Sequence, residues 1–313
     1  MKKNEWDSEI NVSEDLAKNL IEMQFPELGD IELSSIGSGW DNRVYLVNNE
    51  YIFRFPHRAI AASLIERENA VLGYLQNIIK LDIPDPKYQG HPCEIYPYHF
   101  HGYQMLEGKT GCSIELSDLE RSQNITKLAA FLRTIHNINA LQATKIGARE
   151  QVFDRTNRAR LIQALSSRVE KINQQQIDIQ INMDVYAQEI ARIEKISLSN
   201  DKTLVHGDLY SRHFMFTDGV LTGVIDWGDV GINHPVVDLG VIYSFFPETS
   251  HNRFFDIYGE VSPDILVYAR FLGLYSALTT LLYGHNINDS HLYIESRNAI
   301  IRINQKLLDP NPT

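Results

Sequence analysis

Asp208, His213 and Asp226 are the residues whose types and spacing could do chemistry. The first two share the short loop "HGDLYSRH", five positions apart, and the third ends the run "GVID" eighteen positions after the first. An aspartate can orient an attacking hydroxyl and take up its proton. A second aspartate and a neutral imidazole nitrogen can hold a divalent cation, although magnesium prefers oxygen. A loop aspartate and two such ligands are the parts that phosphoryl transfer requires, because the charge on the phosphates must be neutralised while the hydroxyl is held in line. A metal-dependent hydrolase would need denser ligand motifs such as H-E-x-x-H, which the chain lacks.

Three separated residues act together only if the chain folds back between them. "FTDG" followed by "VLTGVIDW" supplies that fold: Asp218-Gly219 stands between two apolar runs and suits a type I′ hairpin turn. The hairpin returns Asp226 towards Asp208 and His213. Before this point the chain is mainly helical: "LAAFLRTIHNI", "RLIQALSSRVEKI" (Leu161, Leu165, Val169 and Ile172 three or four apart) and "DVYAQEIARIEKI" carry helical periodicity. The N-terminal third reads differently. Ser13 caps an amphipathic helix over 13–24 that places Leu16, Leu20 and Met23 on one face. Strand-like runs follow at 31–36, 43–47 and 51–55, the last two joined by the turn "NNE", then a helix near 63–79 stopped by "IPDP", and an aromatic hairpin over 95–106. The pattern predicts an α+β chain with a small β-rich N-terminal lobe, residues 1–107, and a larger, mainly helical C-terminal lobe, residues 108–313.

Composition limits the alternatives. The chain of 313 residues is long enough for two cores, and its 43% hydrophobic and 22% charged residues are those of an ordinary globular protein. Net charge is −11 with no basic stripe, which argues against nucleic acid. "MKKNEWDSEI" has no apolar run of the signal-peptide kind, and "FLGLYSALTTLLYG" is too short to span a membrane, so a cytoplasmic chain with no membrane partner is expected. Cys93 and Cys112 have no metal-type spacing. Residues 201–238 carry six acids against two bases, interleaved with Val, Ile, Trp and Phe, which suits a buried site holding a cation. Residues 141–200 are net +2.

"HGDLYSRH" with "GVIDWGDVGINHPVVDLG" resembles the aminoglycoside phosphotransferase family of small-molecule kinases, which share the protein kinase-like bilobal fold; the similarity runs over about 30–245. The resemblance implies Asp208 as the catalytic base, Asp226 and His213 as Mg2+ ligands, and Asp238 as the aspartate that braces the loop. Most members of that family have Asn at the place of His213, while some antibiotic kinases of the 2″-aminoglycoside and macrolide types carry His there. The alternative for His213 is a structural histidine. His206 and His136 are read as supports of the loop, and His234, in "NHPVVD", as a surface or substrate-side residue. In the N-terminal lobe Gly37, Ser38 and Gly39 form the turn that brings backbone N–H groups to phosphates. Arg54, in "YIFRFP", stands where kinases usually have lysine, and Glu68 matches the glutamate that pairs with it, with Glu66 as the competing choice. In "YQMLEG", the Gln104 carbonyl and the Leu106 N–H match the backbone groups that bind a purine.

The family implies ATP or GTP as donor and a hydroxyl-bearing small molecule as acceptor, an aminoglycoside-type antibiotic or related sugar first. A macrolide, or a metabolite such as a sugar or amino alcohol, fits the same chemistry. The non-enzyme alternative is a nucleotide-binding pseudokinase, which Arg54 and His213 would suit.

Overall fold

The Ser13 hydroxyl accepts from the Leu16 N–H and starts the first helix, α1 (Glu14–Gln24), with Glu14 and Asp15 in its first turn. This computed structural model describes residues 9–38, 42–151, 153–179 and 181–308. The buried stripe of α1 is Ala17, Leu20 and Ile21, whereas Met23 is 52% exposed. The buried stripe lies about one position round from the face drawn through Leu16, Leu20 and Met23, with Leu16 at its partly buried edge.

Contacts divide the chain into two compact units, residues 1–106 with 146–148, and residues 107–145 with 149–313. In the first, β1 (Leu33–Ser38), β2 (Asn42–Val47) and β3 (Tyr51–Pro56) are followed by α2 (Ala59–Leu75), β4 (Tyr88–Gly90) and β5 (Phe100–Gln104). The strands form one antiparallel sheet in the order β1-β2-β3-β5-β4. Asn48 and Asn49 take positive φ in the tight turn between β2 and β3, closed by Glu50 N–H to Val47 C=O at 3.0 Å. The two-residue period of β3 sends Phe53 and Phe55 into an aromatic core with Phe25, Tyr96 and Phe100, and sends Arg54 to the opposite face. Phe55 stacks on Phe100 with ring centres 4.6 Å apart.

The second unit opens with β6 (Lys109–Thr110) and α3 (Asp118–His136), which begins at a capping box between Ser117 and Glu120. Next come α4 (Ala140–Lys145), α5 (Arg158–Gln174) and α6 (Met183–Ile193). Leu161, Leu165, Val169 and Ile172 are the buried stripe of α5, as the spacing predicts. Then β7 (Thr203–Val205), β8 (Phe214–Thr217), β9 (Val220–Val224) and β10 (Gly231–Asn233) form two small sheets, β10-β7 and β6-β8-β9. Helices α7 (Val236–Phe245), α8 (His251–Tyr258), α9 (Pro263–Asn286) and α10 (Ser290–Leu308) complete the unit.

Helix α7 is buried along its whole length, and it crosses α9 where Gly240 faces Gly273: a Cβ on Gly240 would lie 2.8 Å from the Gly273 nitrogen. The 14-residue apolar run proves to be part of a longer helix. With 24 residues and an 18-residue window of mean hydropathy 1.6, α9 is the one helix among the described residues long and apolar enough to cross a membrane. It is instead the core of this unit, with 72% of that apolar window buried inside the protein. Two buried bidentate pairs fix the helices: Arg270 with Glu189, and Arg121 with Glu295, whose guanidinium also donates to the Phe245 carbonyl.

Candidate active site

The hairpin that carries the site is clasped from outside. Asp218 and Gly219 take φ of 50° and 74°, the left-handed pair of a type I′ turn, between β8 and β9. The side chain of Asn124, on α3, donates to the Gly219 carbonyl and accepts from the Leu221 N–H, both at 2.8 Å. With the turn held, the end of β9 lies beside the start of β8, and Ile225 N–H bonds to the His213 carbonyl at 2.9 Å.

His213 is the buried centre of the site, 4% exposed in a short 3-10 turn over Ser211–His213. Its Nδ1 lies 2.6 Å from the backbone carbonyl of Asp208 and 3.8 Å from that residue's Oδ2, while its Nε2 lies 3.3 Å from Asp226 Oδ2. A carbonyl can only accept, so Nδ1 carries the proton and Nε2 points at the Asp226 carboxylate. Burial pulls the imidazole down, but the hydrogen bond and charge of Asp226, helped by Asp208, outweigh it and raise its pKa above the ordinary histidine value. Asp226 itself takes a φ of +62°, an unusual backbone for a non-glycine residue, and its side chain is 48% exposed.

Asp238, near the start of α7, holds the loop from beneath. Its carboxylate is fully enclosed and accepts from His206 N–H at 2.7 Å, Gly207 N–H at 2.8 Å and His136 Nε2 at 3.1 Å. Burial raises this carboxyl's pKa, but the hydrogen bond and charge of His136 and the Gly207 amide more than reverse that and hold it below the usual value. His206 is buried too; its Nε2 donates to the Ile225 carbonyl and its Nδ1 accepts from the Asp208 N–H, which defines a neutral ring. Burial lowers its pKa accordingly. Gly207 has φ +89°, and a Cβ there would meet Gln151 Nε2 at 1.9 Å and the Asp229 carbonyl at 2.6 Å, so glycine is required.

Two residues escaped sequence reasoning. Arg155, in the loop before α5, donates through Nη2 to Asp208 Oδ1 at 2.7 Å and to Asp229 Oδ2 at 3.3 Å. Asp229 follows Asp226 by three positions, and desolvation and the charges of Asp208 and Asp226 push its carboxyl up to about 6 against the pull of Arg155. Arg155 lies 53 residues from Asp208 in an unremarkable "FDRTN"; the surplus of bases over 141–200 was the only signal that could have pointed to it. His234 corrects its surface reading. It is 6% exposed, its N–H bonds to Asn233 Oδ1, and its Nδ1 accepts the Val236 N–H, which ties down the chain entering α7.

In the first unit the structure brings Arg54 and Glu68 together. Arg54 Nη1 lies 2.7 Å from Glu68 Oε1, with both side chains buried. Glu68 stands on the buried stripe of α2 with Ala61, Ile65, Leu72 and Leu75, whereas Glu66 is exposed and pairs with His99 at 3.2 Å. Gly37 and Ser38 lie at the end of β1, opposite Val44 and Arg43, beyond a bulge after Ser35; Gly39 lies outside the described residues. Gln104 ends β5 opposite Tyr51 with its side chain exposed, and the half-buried Leu106 follows two positions on.

Among the described residues no closed group of three protein ligands is found. Mg2+ is commonly held by one or two carboxylates together with phosphate oxygens and waters rather than by an all-protein cage. Half-exposed Asp226, with His213 Nε2 beside it, provides that kind of open corner.

A family model described as phosphotransferase enzyme family (APH) matches residues 32–270. Aminoglycoside 3'-phosphotransferases from Salmonella typhimurium and Escherichia coli are each 29% identical over 167 residues, 51% of this chain. The alignment spans 58% of the length of those relatives. The uncharacterised protein YcbJ of Bacillus subtilis (strain 168) is 22% identical over 71% of this chain and 73% of its own. Among solved structures, the GDP and kanamycin complex of APH(2″)-IIIa superposes with a TM-score of 0.66 at 23% identity, covering 92% of this chain and 98% of that one. A macrolide 2'-phosphotransferase from Brachybacterium faecium gives 0.56 at 18%, covering 87% and 92%. At these identities the likeness concerns the fold, which is α+β and kinase-like.

Proposed function

Because this chain belongs to the phosphotransferase enzyme family, we propose that it moves the γ-phosphate of a nucleoside triphosphate to a hydroxyl of a small molecule. The observation that carries the reading is the meeting of Asp208, His213 and Asp226 around one folded-back hairpin, in a chain matched by that family over residues 32–270.

Asp208 orients the acceptor hydroxyl through its carboxylate. The hydroxyl oxygen forms a new bond to the γ-phosphorus as the bond to the β,γ-bridging oxygen breaks. The nucleoside diphosphate leaves with that electron pair, and the hydroxyl proton passes to Asp208. Arg155 holds one carboxylate oxygen of Asp208 in place, and Asp238 fixes the backbone beneath it. Asp226, with His213, is the place for Mg2+, which when bound neutralises phosphate charge. In the N-terminal lobe expected over residues 1–107, Arg54 held by Glu68 and the backbone of Gly37, Ser38 and Gly39 take the phosphates, and Gln104 C=O and Leu106 N–H take the base. The C-terminal lobe expected over residues 108–313 supplies the catalytic base and the acceptor's site. The names of the relatives put aminoglycosides first and macrolides next in the acceptor panel. The free thiols of Cys93 and Cys112 suit a reducing cytoplasmic setting.

A turnover screen with ATP and GTP over aminoglycosides, macrolides, sugars and simple alcohols tests the reading, with Asp208→Asn as control. That substitution should lower turnover by at least about 1,000-fold while leaving nucleotide affinity within about threefold. An Asp208→Asn protein as active as the original would end the proposal. Nucleotide binding with no transfer to any acceptor would favour the pseudokinase alternative.

A further inference from the structure

The wall of the second unit beside Asp208 has a chemistry of its own. A shallow, open recess is lined by Arg155, Asp208, Leu209, Val241, Leu272 and Tyr275, among others. Among the described residues Asp208 is the one acid in its lining, with Asp229 behind Arg155, and the recess presents a guanidinium where a polycationic acceptor would call for further carboxylates. Asp208 and Asp229 both use the single nitrogen Nη2 of Arg155. Its Nε and Nη1 edges make no hydrogen bond among the described residues, while 16% of the side chain stays exposed. Behind Tyr275 stands a second cation. Arg168 donates to the Tyr275 hydroxyl at 2.9 Å and to Thr279 Oγ1 at 2.6 Å, and lies over the Tyr275 ring at 4.3 Å. It forms no ion pair among the described residues. The Tyr275 oxygen already accepts from Arg168, so it keeps its own proton to donate. Burial lowers the pKa of Arg168, the Tyr275 hydroxyl works against that, and the like charge of Arg155 adds a smaller push in the same direction as burial.

We infer that the acceptor is a small hydroxy acid, whose carboxylate takes the open edge of Arg155 with Tyr275 and Arg168 behind it while its hydroxyl lies against Asp208. A guanidinium presents paired N–H donors that match the two oxygens of a carboxylate. The apolar walls of Leu209, Val241 and Leu272 limit the remaining contacts to the carbon chain. A sugar acid fits this description; a polyamine-bearing sugar would place like charges together.

The inference rests on the kinase reading for the role of Asp208, but binding decides it without turnover. Isothermal titration of the full chain with MgADP compares three matched pairs, gluconate with sorbitol, glycerate with glycerol and glucuronate with glucose, and adds kanamycin. In at least one pair the acid should bind 10- to 100-fold more tightly than the alcohol. Arg155→Gln should erase that preference, Arg155→Lys should retain part of it, and Arg168→Gln should weaken acid binding severalfold. If Arg155→Gln does not fold, the Lys and Arg168 variants carry the same comparison. Equal binding within every pair overturns the inference, as does an acid preference indifferent to Arg155 and Arg168, or tighter binding of kanamycin than of any acid. The kinase reading fails separately, by the absence of Asp208-dependent phosphoryl transfer to every compound tried.

Discussion

Replacing Asp238 with Asn changes one oxygen to an NH2 group and leaves the shape intact. In the protein three donors converge on that carboxylate: His206 N–H, Gly207 N–H and His136 Nε2. An amide offers one oxygen. With the oxygen at the Oδ2 position, His206 and His136 keep their acceptor and the NH2 opposes the Gly207 N–H. With the amide turned, Gly207 keeps its acceptor and the NH2 opposes the His206 N–H, whatever tautomer His136 adopts. One buried backbone amide loses its partner in either case, at roughly 1–3 kcal/mol, and the surviving bonds lose the charge that about doubled their strength. The expected loss is therefore about 2–5 kcal/mol, a large share of the roughly 5–15 kcal/mol that holds typical domains folded. The same change releases the backbone that aims Asp208, so kcat should fall by at least about 100-fold, with KM for nucleotide little changed. Urea unfolding followed through Trp227, which is buried with its ring 4.7 Å from that of His206, reads the stability. Steady-state kinetics read the rest. The carboxyl is held below its usual 3.8, so as pH falls the unfolded chain takes up the proton first. The stabilisation from ionised Asp238 is complete above about pH 4 and is lost below it, and the Asn protein should lack that acid-side loss. An Asn protein within about 0.5 kcal/mol of the original at pH 7, with unchanged kcat, would refute the argument.

Further outcomes follow from single contacts. Gly207→Ala should cost at least about 2 kcal/mol and most of the activity, because the positive φ and the nearby Asp229 carbonyl both oppose a Cβ; pairing it with Gln151→Ala should not rescue the thermal midpoint, since the backbone clash remains. His213→Ala should raise the Mg2+ concentration for half-maximal transfer at least about tenfold, His213→Asn should recover much of that loss, and EDTA should abolish transfer in all three. His101 is fully buried, and burial and then Arg54 hold it well below the usual 6.5, so the unfolded chain binds its proton first as pH drops from 7. That group alone removes stability at up to about 1.4 kcal/mol per pH unit below 6.5, and His101→Leu should show a correspondingly shallower slope between pH 6.5 and 5 in urea titrations.

Local rules explain why so much of the framework could be read from the chain. A type I′ turn needs left-handed residues, and Asp218-Gly219 supplies them, so the hairpin and the return of Asp226 were legible in four letters. The helical spacing of Leu161, Leu165, Val169 and Ile172 and the cap at Ser13 are equally local. Helical geometry separates Glu68 from Glu66, and the apolar partners at 61, 65, 72 and 75 mark which of them faces inward. The sequence by itself thus determined most of the helices, the β8–β9 hairpin and the identity of the three residues around it, whereas the hairpin expected over 95–106 is the single strand β5, paired with β3 and with β4.

Tertiary structure alone decided what surrounds them. Arg155 reaches Asp208 across 53 positions, Asn124 clasps a turn 95 positions away, and Arg168 meets Tyr275 across 107. No periodicity links such partners, because side-chain pairs across elements depend on how helices pack, and that packing is set by shape over the whole core. The burial of His234 and the outward turn of Met23 have the same origin: a residue's own letters say which side of a helix or loop it occupies, but only its neighbours decide which side faces the solvent.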